Sequence, residues 1–284
     1  MTILPHIQFS MANPESIISF RRFKNKNSEL SRLYWFHALN AEMGLMKAQT
    51  LVQNQSIAGQ VTTSFTAQMM TLTAEEYKNV NDEMLNRTRL QLLLVCSANL
   101  ESYLNDITFA YIASKGHTLS PVKLDEIGTA LASPILDVAS VPRPLAYAEK
   151  LFEVALGTLR DQWTHFYKLR CVVAHSGGVM TARSKRELSS MATPPLNTHL
   201  GLTWDELAKA LDSAYKIVTA IDKKVRTVDV KKAELLRELT LVKQTDGLPP
   251  EKKLATFLFD QYGIKSAQKK FGKELFRSVY DKTH

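Results

Sequence analysis

The sequence predicts an all-α protein, and three observations carry that reading. Apolar residues recur at three- and four-residue steps over long stretches. Alternating patterns of the kind that make half-buried strands are few. The 11 glycines and 10 prolines gather in a few places and leave long uninterrupted segments between them. With 284 residues, 45% of them hydrophobic and 23% charged, the chain has enough apolar material for a sizeable core.

Taken in order, residues 1–27 read as irregular, with a basic patch at Arg21, Arg22, Lys24 and Lys26. A first helix is expected from Ser28 to about Gln55, with Leu30, Leu33, Phe36, Leu39 and Met43 as its packing stripe. The segment SIAGQVTTSFT reads as a loop or a short strand. Thr73, with Glu76 three residues on, forms a capping box. The helix it opens runs to Ser114, with a break expected near Val80–Asp82 and Gly116 as the stop signal. Leu90, Leu93, Leu94, Ser97, Leu100, Leu104, Ile107 and Tyr111 form its core-facing stripe. Glu101 lies on or beside that stripe, where a carboxylate is costly unless it is paired.

A short helix is expected in SPVKLDEIGTALAS, then a proline-bearing connector. A helix from near Leu145 runs toward His175, with Gly157 or the Asp161 region able to split it, and Gly177 and Gly178 end it. Residues 179–201 read as a loop or a short hairpin. Thr203 and Glu206 make a second capping box, opening a helix with Leu207, Leu211, Tyr215, Ile217 and Ile221 inward. Residues 227–246 continue helically, and one or two small helices are expected near 251–262 and 265–280. The organisation expected is an N-terminal helical extension over 1–80, a helical core over 81–232 and a basic helical extension over 233–284.

The net charge is +8. From residue 250 onward there are eight Lys/Arg against four Asp/Glu. Such a balance suits a polyanion, most often nucleic acid, and equally suits a solvated tail. The two cysteines, Cys96 and Cys171, make no Cys-x-x-Cys spacing and read as buried thiols in a reducing cytosol. The first residues lack the pattern of a secretory signal, and the apolar run LLLVC is far short of a membrane span. A cytoplasmic protein is therefore expected. Phosphate-loop, dinucleotide-binding, zinc-protease and nucleophile-elbow motifs are missing, and the seven histidines are scattered. No metal and no cofactor are expected.

What remains is KLRCVVAHSGG, residues 168–178, with a fixed cation at Arg170 and an imidazole at His175. Five positions of regular helix are about 500° of rotation, leaving the two side chains about 140° apart. They converge within one chain only if the helix ends or unwinds near His175, which the two glycines permit. A cation in the last turn also serves the helix dipole, so a purely structural role stays open.

KLRCVVAHSGG resembles the Arg-x4–6-His motif of the HEPN superfamily of all-α domains, in Arg170, the four intervening residues, His175 and the glycine soon after. LLLVCSANLESYLNDITFAYI is similar to the acid-bearing helix that precedes the motif in many members, with Glu101 at the matching place. The resemblance covers about Glu83 to Arg226, and Cys171 departs from it where a polar residue such as Asn often follows the arginine. It implies a HEPN-like helical bundle and a metal-independent endoribonuclease, working as a homodimer with a composite cleft and leaving 2′,3′-cyclic phosphate ends. It implies His175 as acid/base, Arg170 as phosphate clamp and Glu101 as the residue orienting Arg170. Tyr167 either lines the cleft or packs in the core. Lys223, Lys224 and Arg226 are candidates for tracking the RNA backbone. A toxin or antiviral effector, partnered by an antitoxin or sensor protein, is the implied setting. A HEPN-like module that binds RNA or protein without cutting is the other reading.

Overall fold

The computed structural model describes residues 17–57, 72–116, 143–188 and 193–245. Among these the protein is all-α. Seven helices follow in order: α1 (Ile18–Gln49), α2 (Ala74–Ser114), α3 (Arg143–Phe152), α4 (Thr158–Ser176), α5 (Ala182–Glu187), α6 (Trp204–Val225) and α7 (Val228–Thr245). The only β pairing among the described residues is two isolated bridges, Ser56 with Thr73 and Val179 with His199.

The two long central helices begin where their sequences say. Thr73 and Glu76 close a reciprocal capping box on α2, and Thr203 and Glu206 close one on α6. Each box satisfies two backbone donors that a helix start would otherwise leave bare. α2 is unbroken through Val80–Asp82, against expectation. Asn81 there is buried, and the chain has neither Gly nor Pro to interrupt the helix.

Four helices make the core. Tyr103 Oη donates to the Val218 carbonyl at 3.3 Å, and Asn86 Nδ2 to the Leu200 carbonyl at 2.7 Å, so α2 and α6 run parallel. On one side α4 lies antiparallel to α2, since Arg170 meets Glu101 and Gly178 beyond its end stands against Leu90, and Ser213 Oγ of α6 bonds its Gln162 Oε1 at 3.3 Å. α1 lies antiparallel to α2 and α6 on the other side, with Asn27 Nδ2 donating to the Leu211 carbonyl at 3.2 Å. A continuous apolar core runs from Ile17 and Phe23 through Leu93, Leu100 and Ile107 to Ile217, Ile221 and Val230. α1 and the start of α7 are thus built into the same core as the central helices.

Several expectations need correcting. The first helix begins at Ile18, ten residues before Ser28, and ends at Gln49. Its start was hidden because Ile17 at the N-cap offers no side-chain acceptor. The acceptor comes from α7: the Glu234 carboxylate receives the N–H of Ile18 at 2.6 Å, the N–H of Ser19 at 2.7 Å and the Ser19 hydroxyl. Of the basic patch, Arg22 reaches the same corner and pairs with Glu238 at 2.8 Å, while Lys24 and Lys26 are exposed. Of the stripe expected to pack α1, Leu30 alone is buried, while Leu33, Phe36, Leu39 and Met43 face solvent. In their place Tyr34 and Ala48 turn inward. The segment 179–201, expected as a loop or a short hairpin, pairs its ends through the antiparallel bridge of Val179 with His199 and also carries the short helix α5, capped by Thr181. Cys171 is half-buried where full burial was expected, whereas Cys96 is fully enclosed. The expected helices at 120–133, 251–262 and 265–280 and the loop at 58–66 lie outside the described residues.

Candidate functional site

α2 and α4 meet where each carries a polar interruption in an apolar face. On α2, Ser97 sits inside the buried stripe and donates its hydroxyl to Glu101 Oε1 at 3.3 Å. A buried hydroxyl needs a partner, and the carboxylate one turn on provides it. On α4, Trp163, Phe166, Leu169, Val172 and Val173 pack inward. Arg170 follows Leu169 and reaches across to Glu101, with Nη2 3.6 Å from Oε1. That is within ion-pair range but too long for a good hydrogen bond. The guanidinium also stands over the Tyr167 ring, 5.6 Å from its centroid.

Arg170 is incompletely satisfied. Its Nε is buried with no hydrogen-bond partner. A buried donor left open costs roughly 1–3 kcal/mol, so such a group marks a place where an acceptor from outside would be welcome. The Tyr167 hydroxyl is pushed above its ordinary range, first by burial and then by the neighbouring Cys171, while Arg170 pulls it back.

The end of α4 is set by its two glycines. The helix stays regular through Ser176, so it does not unwind at His175. Gly177 takes the left-handed conformation at φ 62 and ψ 22. The N–H groups of Gly177 and Gly178 both turn back to the Val172 carbonyl, the latter at 3.4 Å. Gly178 has φ +84, and a Cβ there would stand 3.2 Å from Leu90 Cδ1 of α2. Beyond it, Leu200 N–H donates to the Gly178 carbonyl at 2.8 Å and Met180 N–H to that of Thr198 at 2.8 Å. The turn is thereby pinned to the strap that leads into α6.

The structure brings Glu101 and Arg170 together and leaves His175 apart. His175 is exposed on the last turn of α4, about 140° around the helix from Arg170. Lys223 and Lys224 are exposed on the last turn of α6, and Arg226 follows as its C-cap. Gln162 and Ser213 join α4 to α6. His199, exposed and bridged through its backbone to Val179, lies beside the glycine turn. Nothing in its sequence neighbourhood signals that closeness. Ser97 was visible in sequence as the one polar member of its stripe.

Among the described residues no three His, Cys, Asp or Glu side chains cluster as metal ligands. No described helix is long and apolar enough to cross a membrane. Compared with family models, with curated proteins and with solved structures, the chain shows no match.

Proposed function

We propose that this protein is a metal-independent endoribonuclease of the HEPN type, acting as a cytoplasmic toxin or defence effector. The observation that supports this best is the Glu101–Arg170 contact with its open donor. The carboxylate holds the guanidinium at one edge, and the buried Nε has no acceptor. A phosphate oxygen supplies one, and arginine recognises phosphate through paired N–H groups.

The reaction needs few groups because RNA carries its own nucleophile. A base removes the 2′-hydroxyl proton, and the 2′-oxygen forms a bond to phosphorus. The bond from phosphorus to the 5′-oxygen breaks, and that oxygen takes a proton. Imidazole ordinarily titrates near neutrality and suits either transfer. Arg170 would hold the phosphate as charge accumulates on it. Because His175 and Arg170 diverge on one helix, the reading calls for two copies, with the α4 ends facing each other so that one copy's histidine complements the other's arginine.

That divergence also favours the second reading, an RNA- or protein-binding module without cleavage, as does Cys171 beside the arginine. The test is RNA cleavage in EDTA by wild type, Arg170→Ala and His175→Ala, with end-group analysis. Cleavage by wild type alone, leaving 2′,3′-cyclic phosphate, is the expected result. Absence of cleavage on tRNA, rRNA and mRNA, with RNA or partner binding that survives His175→Ala, would establish the second reading instead.

A further inference from the structure

α1 has two apolar faces, and the bundle uses one of them. Tyr34, Ala41 and Ala48, spaced by seven, turn toward the rest of the molecule: Tyr34 and Ala48 are buried, and the Ala41 carbonyl accepts from Tyr77 Oη at 3.2 Å. On the opposite side stand Phe36, Leu39, Met43 and Met46, exposed by 63%, 56%, 61% and 63%. Their spacing of three, four and three residues is the seam of a two-stranded coiled coil. Leu33 and Trp35 widen the patch at its near end, exposed by 45% and 54%.

We propose that this seam is a dimer contact with a second copy of this chain, the two α1 helices lying parallel about a two-fold axis. Two observations favour that occupant. The first is charge. Glu42 and Lys47 flank the seam at the g and following e positions, five residues apart. Neither side chain makes an ion pair within the described residues. In a parallel pair each Glu42 faces the other copy's Lys47, giving two symmetric ion pairs. The second is area. Six large side chains, each about half exposed and of roughly 200 Å² apiece, leave on the order of 600 Å² of apolar surface. That is the upper end of the largest apolar patch an ordinary monomer exposes, roughly 300–600 Å². Doubled, it reaches about 1,200 Å², the lower edge of a stable interface.

The contact does not rest on the ribonuclease reading. α1 and α4 lie on opposite sides of the α2–α6 pair, so a motif-to-motif pairing would be a separate interface. The two ideas can therefore fail independently.

The test is sedimentation equilibrium on the full chain, with thermal unfolding of each variant to verify the fold. Wild type is expected to dimerise at micromolar concentration. Leu39→Glu places a charge on the seam of both copies and should weaken the dimer about a hundredfold. Glu42→Lys should weaken it about tenfold, and adding Lys47→Glu should restore it. Arg170→Ala should leave it unchanged. A dimer indifferent to Leu39→Glu would overturn the proposal, and failure of the double swap would overturn the parallel arrangement. A monomeric wild type would also overturn the proposal, and resistance of its Met43 and Met46 to peroxide would show a segment of the same chain covering the seam.

Discussion

The adjacent glycines after α4 are fixed by different forces, and substituting each separates them. Gly177 sits at φ +62 with no heavy atom within 4 Å of a would-be Cβ. Alanine there meets only the left-handed backbone cost, about 1–2 kcal/mol. The less flexible unfolded chain returns roughly 0.4–1 kcal/mol of that, leaving a net loss near 1 kcal/mol or below. Asparagine tolerates this conformation and should cost less still. Gly178 combines φ +84 with a Cβ position 3.2 Å from Leu90 Cδ1 and 4.0 Å from His199 Nδ1. Leu90 is 3% exposed and has little room to yield. Overpacking typically adds about 1–3 kcal/mol, so Gly178→Ala should lose about 2–3 kcal/mol, and asparagine should not rescue it. Urea denaturation measures both, with an unchanged slope marking a pure stability effect. Equal losses at the two positions, or rescue of position 178 by asparagine, would refute the packing argument.

Other outcomes follow from the same geometry. Glu234→Ala removes the acceptor for two N–H groups and a hydroxyl at the start of α1 and should cost about 2–4 kcal/mol in urea denaturation. The Glu234 and Asp222 carboxyls are both held above their ordinary range, chiefly by burial. Their folded forms keep protons that the unfolded chain has lost, so this contribution is full below about pH 4. It is lost as pH rises through the folded values, and the gap between wild type and Glu234→Ala should narrow over that rise. Thr203→Ala breaks the capping box of α6 and should cost about 1 kcal/mol by the same measurement. Burial pushes the Cys96 thiol to about 12, whereas Cys171 is half-buried. Alkylation under native conditions, read by mass spectrometry, should therefore modify Cys171 first.

Where a rule is local, the sequence was enough. The capping boxes at Thr73 and Thr203, the stripe from Leu90 to Ile107 and the glycine stop after Ser176 each depend on residues within one or two turns, and each stands in the structure. Where the partner is distant, the sequence was silent. The start of α1 depends on Glu234, 216 positions away from Ile18. The packing face of α1 is not legible in its sequence because both faces are apolar, and periodicity identifies a face without saying which side the bundle takes. The pairing of Glu101 with Arg170 was reached through resemblance, since nothing in the spacing of α2 and α4 fixes their register.

The polar groups inside this bundle divide into two kinds. Ser97 has Glu101, and Glu234 has the first two residues of α1. In each case a buried polar atom met by a neighbour helps fix how two helices, or two turns of one helix, sit. Arg170 departs from that pattern, as do Tyr147, Arg160 and Asp222, each with a buried polar atom that has no hydrogen-bond partner among the described residues. The ion-pair partner of Arg170 stands 3.6 Å off and its Nε has no partner among the described residues, although Tyr167 and Glu101 hold the side chain in place. An arginine needed only to tie α2 to α4 would gain more from closing on Glu101 than from standing off it. Among the described residues no acceptor meets that Nε, and both functional readings use the open donor. What separates them is the exposed His175: if its replacement leaves RNA binding intact and abolishes cleavage, the histidine does chemistry, and if it changes neither, it serves the end of α4.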